Sequence, residues 1–254
     1  MRITYHALSD KGKKRAINED SYLINEEENL FIVADGMGGQ AAGDVASKIA
    51  VEAMEKFILA SSREKDITWP FEYYSTLSHN ANRLRASIKL AHNEIVKTSL
   101  TSQELQGMGT TVVGCIISQS KATVAYVGDS RAYLVRDEDL IQLTKDHSWV
   151  REQLDMGLIT PEEARNHPYR NVVTRALGGK IKVEVDVIEK ELKSGDYTFL
   201  CTDGLNSMVD NKDILEIILR NKDNLPLTCR QLIDRANDNG GEDNTTVVLL
   251  KYMK

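Results

Sequence analysis

The sequence predicts an α+β layered fold, and three observations carry that reading. Two amphipathic helical segments follow one another between residues 41 and 98 with no strand between them. Four strand-like segments then crowd together, separated by breaks too short for a parallel crossover, which needs about a dozen residues or more. The remaining strands and helices also come in runs, not in the strict alternation of a doubly wound parallel sheet.

In chain order, short strands are predicted at Ile3–Leu8, Ser21–Asn25 and Leu30–Ala34. Val45, Ile49, Ala53 and Phe57 recur every fourth residue from Ala41 to Leu59. Leu77, Ala81, Leu84, Ile88, Ala91 and Ile95 recur every third or fourth from Thr76 to Thr98. Each helix therefore carries one apolar stripe. "TTVVGCIIS", "KATVAYVGD", "SRAYLVRD" and "LIQLT" read as antiparallel meanders. A polar, helix-prone flap insert occupies about 148–171. Inside it "TPEEA" reads as a helix start, with Thr160 as N-cap, Pro161 in the first turn and Glu163 closing a capping box. Strands return at Val183–Glu189 and Tyr197–Thr202, helices follow Asn211 and Pro226, and "NTTVVLLKY" closes as a strand. No repeat or linker-like stretch intervenes, so one domain over residues 1–254 is expected.

The 254 residues are 41% hydrophobic, enough for a sizeable core. With 32 basic and 38 acidic residues the net charge is −6, which argues against nucleic acid as the main partner. "KGKKR" (Lys11 to Arg15) is the densest basic run and reads as a solvated face. No apolar stretch approaches the ~20 residues that span a bilayer, and the N-terminus lacks the apolar core of a signal peptide. Cys115, Cys201 and Cys229 are scattered, as in a reducing compartment. A cytoplasmic protein with no membrane partner is expected.

Acids recur where apolar runs stop. "FIVADG" ends in Asp35 and Gly36, "TFLCTDG" in Asp203 and Gly204, "VAYVGDS" in Asp129, and Asp243 precedes the last strand. "RAINEDS" places Arg15, Glu19 and Asp20 just before another. One Asp-Gly is an ordinary turn signal. A carboxylate at the end of a strand buried on both faces, however, needs a counter-charge. Arg131 and Arg175 are available, but a cluster of acids is better balanced by hard divalent ions, which take oxygen ligands. The five histidines are dispersed and offer no zinc spacing. Gly36-x-Gly38-x-x-Ala41 also fits a dinucleotide fingerprint. Asp35 would repel the pyrophosphate there, and a second helix stands where the next parallel strand is required.

Together "RAINED", "ADGMGG", "GMGTT", "YVGDSR", "KDHS", "TRALGG", "CTDGL" and "GGEDNTT" resemble the metal-dependent protein phosphatase family, the type 2C serine/threonine phosphatases, in its bacterial branch. The motifs stand in family order from Arg15 to Thr246. The resemblance implies a four-layer αββα sandwich, two central antiparallel sheets flanked by helix pairs. It implies that Asp35, Asp203 and Asp243 are the catalytic aspartates. Asp35 matches the acid bridging two metal ions, the Gly36 carbonyl a ligand of the second, and Asp203 and Asp243 the remaining ligands of the first. Asp129, with Asp203, matches the site of a third ion. Asp20 and Glu19 match acids that hold metal-bound waters, Asn244 a residue behind the ligands, and Arg15 the phosphate-binding arginine.

The implied activity is hydrolysis of phosphoserine and phosphothreonine in proteins by direct attack of water bridging two Mn²⁺ or Mg²⁺ ions. The expected substrates are phosphoproteins made by a cognate kinase, and the expected state is a monomer. Met37 stands where some relatives carry a histidine proposed as general acid, and a thioether donates no proton. His147, inside "KDHS", reads as structural, orienting the start of the flap. The alternative is a catalytically silent phosphoprotein-binding adaptor, whose mark would be loss of metal aspartates; the core ones are all present.

Overall fold

The computed structural model describes residues 2–38, 42–63, 68–179 and 182–254. Strands β1 (Arg2–Asp10), β2 (Asp20–Asn25) and β3 (Leu30–Met37) open the chain, followed by helices α1 (Ala42–Arg63) and α2 (His79–Ser99). A strand block comes next: β4 (Gly109–Thr110), β5 (Val112–Ser118), β6 (Lys121–Val127), β7 (Arg131–Arg136) and β8 (Asp139–Gln142). The insert holds α3 (Trp149–Asp155) and α4 (Pro161–Arg165). Then come β9 (Asp186–Glu191), β10 (Tyr197–Cys201), α5 (Asp203–Asn206), α6 (Asn211–Asn221), α7 (Leu225–Asp238) and β11 (Thr245–Met253). The strands pair antiparallel in two sheets, ordered β1-β11-β10-β7-β8 and β2-β3-β5-β6-β9, with β4 joined to the end of β3.

The period-two alternation of strand side chains sets the layers. Phe31 and Val33 of β3, with Val113 and Cys115 of β5, meet Leu134, Leu200 and Val248 of the other sheet in a central core. Their neighbours Leu30, Ile32 and Ala34 turn the other way, onto Ala46, Ala50, Met54 and Ile58 of α1 and Leu84 and Ile88 of α2. Phe199 and Leu249 pack outward on Ile214 and Ile218 of α6 and Leu232 and Ile233 of α7. Three cores between four layers make the expected αββα sandwich. The strands after which Asp35 and Asp203 were expected are buried on both faces, as their unbroken apolar runs predict. β3 is antiparallel to both neighbours and α1 leads into α2, so the dinucleotide reading fails; its Ala41 lies outside the described residues.

Several local expectations hold. Ala81, Leu84, Ile88, Ala91 and Ile95 of α2 are buried. Thr160 accepts from the Glu163 N–H at 3.2 Å and the Glu163 carboxylate accepts from the Thr160 N–H at 2.7 Å, closing the predicted capping box. Two expectations shift. The strand block is divided: β5 and β6 pair in one sheet, β7 and β8 in the other. The chain changes sheets at Gly128–Ser130, where Gly128 has φ +111° and a Cβ would collide with Thr111. Short breaks limit the connection but do not say which sheet receives the next strand. In α1 the residues Val45, Ile49 and Ala53 only flank the buried face, which is Ala42, Ala46, Ala50, Met54 and Ile58. Small alanines let the helix lie close to the sheet, and bulkier flanking residues dominate a hydrophobic pattern. Among the described residues no helix is long and apolar enough to cross a membrane.

Candidate metal and phosphate site

The sheet ends gather the acids. β6 and β10 stop two residues before Asp129 and Asp203, and β11 starts two residues after Asp243. β2 begins at Asp20, which lies opposite Asp35 in the β2–β3 register. Asp35 was expected just beyond its strand; β3 instead runs through it to Met37. Its carbonyl accepts from the Thr111 N–H at 2.9 Å and the Thr110 hydroxyl at 2.8 Å, which fixes the peptide unit that follows the acid. The Gly36 N–H donates to the Glu19 carbonyl at 3.2 Å. A Cβ on Gly36 would lie 2.5 Å from that oxygen and nearer still to the Gly43 carbonyl, so only glycine fits.

Asp20 is buried. Its Oδ2 accepts from the hydroxyls of Thr202 (2.9 Å) and Thr246 (2.7 Å), while Oδ1 has no hydrogen-bond partner among the described residues. Arg15, exposed, donates from Nη2 to Asp243 Oδ2 at 2.7 Å. Asn244 ties down the loop that carries Arg15. Its Oδ1 accepts from the Glu19 N–H at 2.8 Å, and Nδ2 donates to the carbonyls of Lys11 (3.0 Å) and Ile17 (2.9 Å). The Glu19 carboxylate accepts from the Gly43 N–H at 3.1 Å, at the start of α1.

The electrostatics show how closely these groups crowd. Burial raises the Asp35 carboxyl well above the ordinary range, and the charges of Asp203, Asp20 and Asp129 raise it further. Burial pushes Asp20 up to about 7 against the pull of its threonine hydroxyls, with Asp203 and Asp243 adding to the rise. Asp129 is pushed up to about 8, by burial first and then by Asp203 and Asp146. Asp203 is raised by burial and by Asp243, while its hydrogen bond with Asp35 pulls it back. Among the described residues no three acidic, histidine or cysteine side chains close on one point. The groups meet in pairs, Asp35 with Asp203 and Arg15 with Asp243. The arginines considered as counter-charges are engaged elsewhere, Arg131 with Asp146 at 2.6 Å and Arg175 with Asp186 at 3.3 Å.

His147 is fully occupied. Nδ1 accepts from the Gly128 N–H at 3.0 Å, which leaves the proton on Nε2, 3.0 Å from Asp186 Oδ2. Its N–H donates to the Gly128 carbonyl and its carbonyl accepts from the Thr174 N–H. The residue therefore links the Asp129 turn to both ends of the insert, the structural part read from "KDHS". Sequence reasoning assigned no part to Thr110, Thr111, Thr202 and Thr246. The available signal was a threonine beside an acid or glycine in "GTT", "CTD" and "NTT".

These carboxyls set an unusual pH dependence. Above the ordinary carboxylate value near ~4 and up to about 7 for Asp20 and about 8 for Asp129, the folded chain holds protons that the unfolded chain has released. That contribution is complete below ~4 and is lost as pH rises through 7 and 8. Metal-stripped protein should melt at a lower temperature at pH 8 than at pH 5, and Mn²⁺ should reverse the loss. A melting temperature that rises over that interval without metal would contradict the assignment.

Comparison with known proteins places this geometry. The profile described as Protein phosphatase 2C matches residues 11–238. The serine/threonine phosphatase stp of Listeria monocytogenes is 41% identical over 250 residues, covering 96% of this chain and 93% of that protein. The solved serine/threonine phosphatase PstP/Ppp of Mycobacterium tuberculosis superposes with a TM-score of 0.86 at 35% identity, covering 99% of both chains. A PstP catalytic domain solved in complex with two manganese ions gives 0.83 at 34% identity, again over 99% of both. The chain belongs to the protein phosphatase 2C family and is a serine/threonine protein phosphatase.

Proposed function

We propose that the protein hydrolyses phosphoserine and phosphothreonine with divalent ions held by Asp35, the Gly36 carbonyl, Asp203 and Asp243, and a third ion by Asp129 and Asp203. The observation that carries this is the gathering of five aspartates in one field, of which only Asp243 has an ion-pair partner among the described residues. Unneutralised, such a cluster is costly. The donors suit a hard ion: all are oxygens, and Asp20 Oδ1 is buried without a hydrogen-bond partner among the described residues. Bound there, Mn²⁺ or Mg²⁺ would supply charge neutralisation and activation of water.

The chain does the rest. Arg15, held by the Asn244-tethered loop, presents a forked guanidinium at the rim and exchanges its Asp243 partner for phosphate oxygens. Glu19 and Asn244 set the position of that loop, and Glu19 anchors it to α1. Met37 has no proton to give, and both ring nitrogens of His147 are engaged, so neither protonates the departing serine or threonine oxygen. Retention of all the core aspartates supports the enzyme over the silent adaptor. The substrates are then products of a serine/threonine kinase, met in the cytoplasm by a monomer made of one catalytic domain. The test is phosphate release from a phosphothreonine peptide. It should require Mn²⁺ or Mg²⁺ and stop with chelator; chelator-resistant release would overturn the proposal.

A further inference from the structure

We propose that the loop bearing Arg15 is an electropositive lip that selects acidic phosphopeptides, with Lys11 and Lys14 contacting acidic residues that flank the phosphorylated side chain. This rests on the phosphatase reading and adds a substrate class to it. The lip is a built surface. The N–H groups of Lys13 and Lys14 both donate to the Gly241 carbonyl, at 2.8 and 3.1 Å. Gly12 has φ +74° and leaves no room for a Cβ, which would stand 2.9 Å from that same carbonyl and closer to the carbonyl of Asp243. Asp10 accepts from the Gly12 N–H and from Asn237, and Asn244 holds the Lys11 carbonyl. The basic run is thus locked to the segment that carries Asp243, beside the rim arginine.

Arg15 pairs with Asp243, but two of the other three charges are not consumed within the fold. Lys11 and Lys14 are exposed and form no ion pair among the described residues. Lys13 reaches Asp238 at 3.6 Å, with both side chains more than half exposed, a contact of little energetic weight. Glu242, on the docked segment, is exposed, and neither it nor Asp10, next to Lys11, forms an ion pair among the described residues. In a chain of net charge −6, four cations within five positions beside the phosphate subsite oppose the general repulsion of an acidic substrate. Such rim charges act on encounter and specificity more than on the chemical step.

The experiment compares two phosphothreonine peptides, one with glutamates flanking the phosphorylated residue and one with glutamines, using the Mn²⁺-loaded full chain. Wild type should favour the acidic peptide in kcat/KM by about tenfold at low salt. The preference should shrink toward one in Lys11→Glu/Lys14→Glu and at high ionic strength, whose Debye length is only about 3 Å at 1 M. Hydrolysis of p-nitrophenyl phosphate and of the glutamine peptide, neither of which carries flanking acids, should keep the same ratio to one another in the two proteins. Because the preference is a ratio within each protein, partial loss of folded variant does not obscure it. A wild type that cleaves p-nitrophenyl phosphate yet treats both peptides alike overturns the lip, and so does an unchanged preference in the variant. A wild type inactive on all three substrates overturns the phosphatase reading itself, and the lip with it. Capture of wild type but not variant by phosphatidylserine vesicles, with no peptide preference, would assign the lip to a membrane surface instead.

Discussion

Asp35→Asn and Asp203→Asn should each lower kcat for phosphothreonine peptides by about a thousandfold or more, the scale expected when several kcal/mol of metal-supplied stabilisation is lost. The same substitutions should leave the metal-stripped protein at least as stable as wild type. Both carboxyls are raised by burial and by neighbouring aspartates, so their ionised forms are disfavoured in the fold. An amide keeps the shape and removes the charge. Stability gained together with activity lost marks a site whose residues are kept for function. Thermal melts beside steady-state kinetics check both halves. A variant that is inactive because it is unfolded would contradict this account of Asp35.

Arg83→Ala should cost about 3–5 kcal/mol of folding free energy, by leaving a buried carboxylate without its partner. Arg83 and Glu28 side chains are 6% and 7% exposed and meet at 2.6 Å. The guanidinium also donates to the Ser61 hydroxyl at 2.9 Å and to the Ile58 carbonyl at 2.6 Å. It therefore ties α2 both to the C-terminal part of α1 and to the β2–β3 turn. Glu28→Ala alone should be costly for the mirror reason. The double variant should cost less than the sum of the two singles, the signature of a coupled pair. Urea titration reads all three. This cluster sits at the far end of β3 from Asp35, roughly 15 Å or more along the strand, so activity of the remaining folded enzyme should be unchanged. Additive losses would show that the pair does not act as a unit.

Much of this molecule was legible in its sequence, for identifiable reasons. Apolar runs closing on an acid marked doubly buried strands, although β3 continues through Asp35 to Met37, and blocks of strands and helices gave the α+β class. The capping box at Thr160 was readable because every partner lies within four residues. What stayed hidden depended on contacts distant in sequence. Nothing local says that Gly128 hands the chain from one sheet to the other, or that Asp20 rests on hydroxyls 182 and 226 residues away. The buried face of α1 was displaced because alanine contributes close approach rather than bulk. Arg131 and Arg175 looked free because their partners Asp146 and Asp186 are chosen by tertiary packing. The basic run at Lys11 read as an ordinary solvated face, and only its anchorage beside Asp243 gives it direction.

The central claim is that these aspartates together bind divalent ions. Isothermal titration of Mn²⁺ into metal-stripped wild type and the Asp35→Asn/Asp203→Asn variant tests it most directly. Wild type should take up at least two ions and release protons as it does so, because Asp20 and Asp129 are held up at about 7 and about 8 before binding. The variant should bind neither ion of the pair. Equal uptake by both proteins, or none by wild type, would contradict the account.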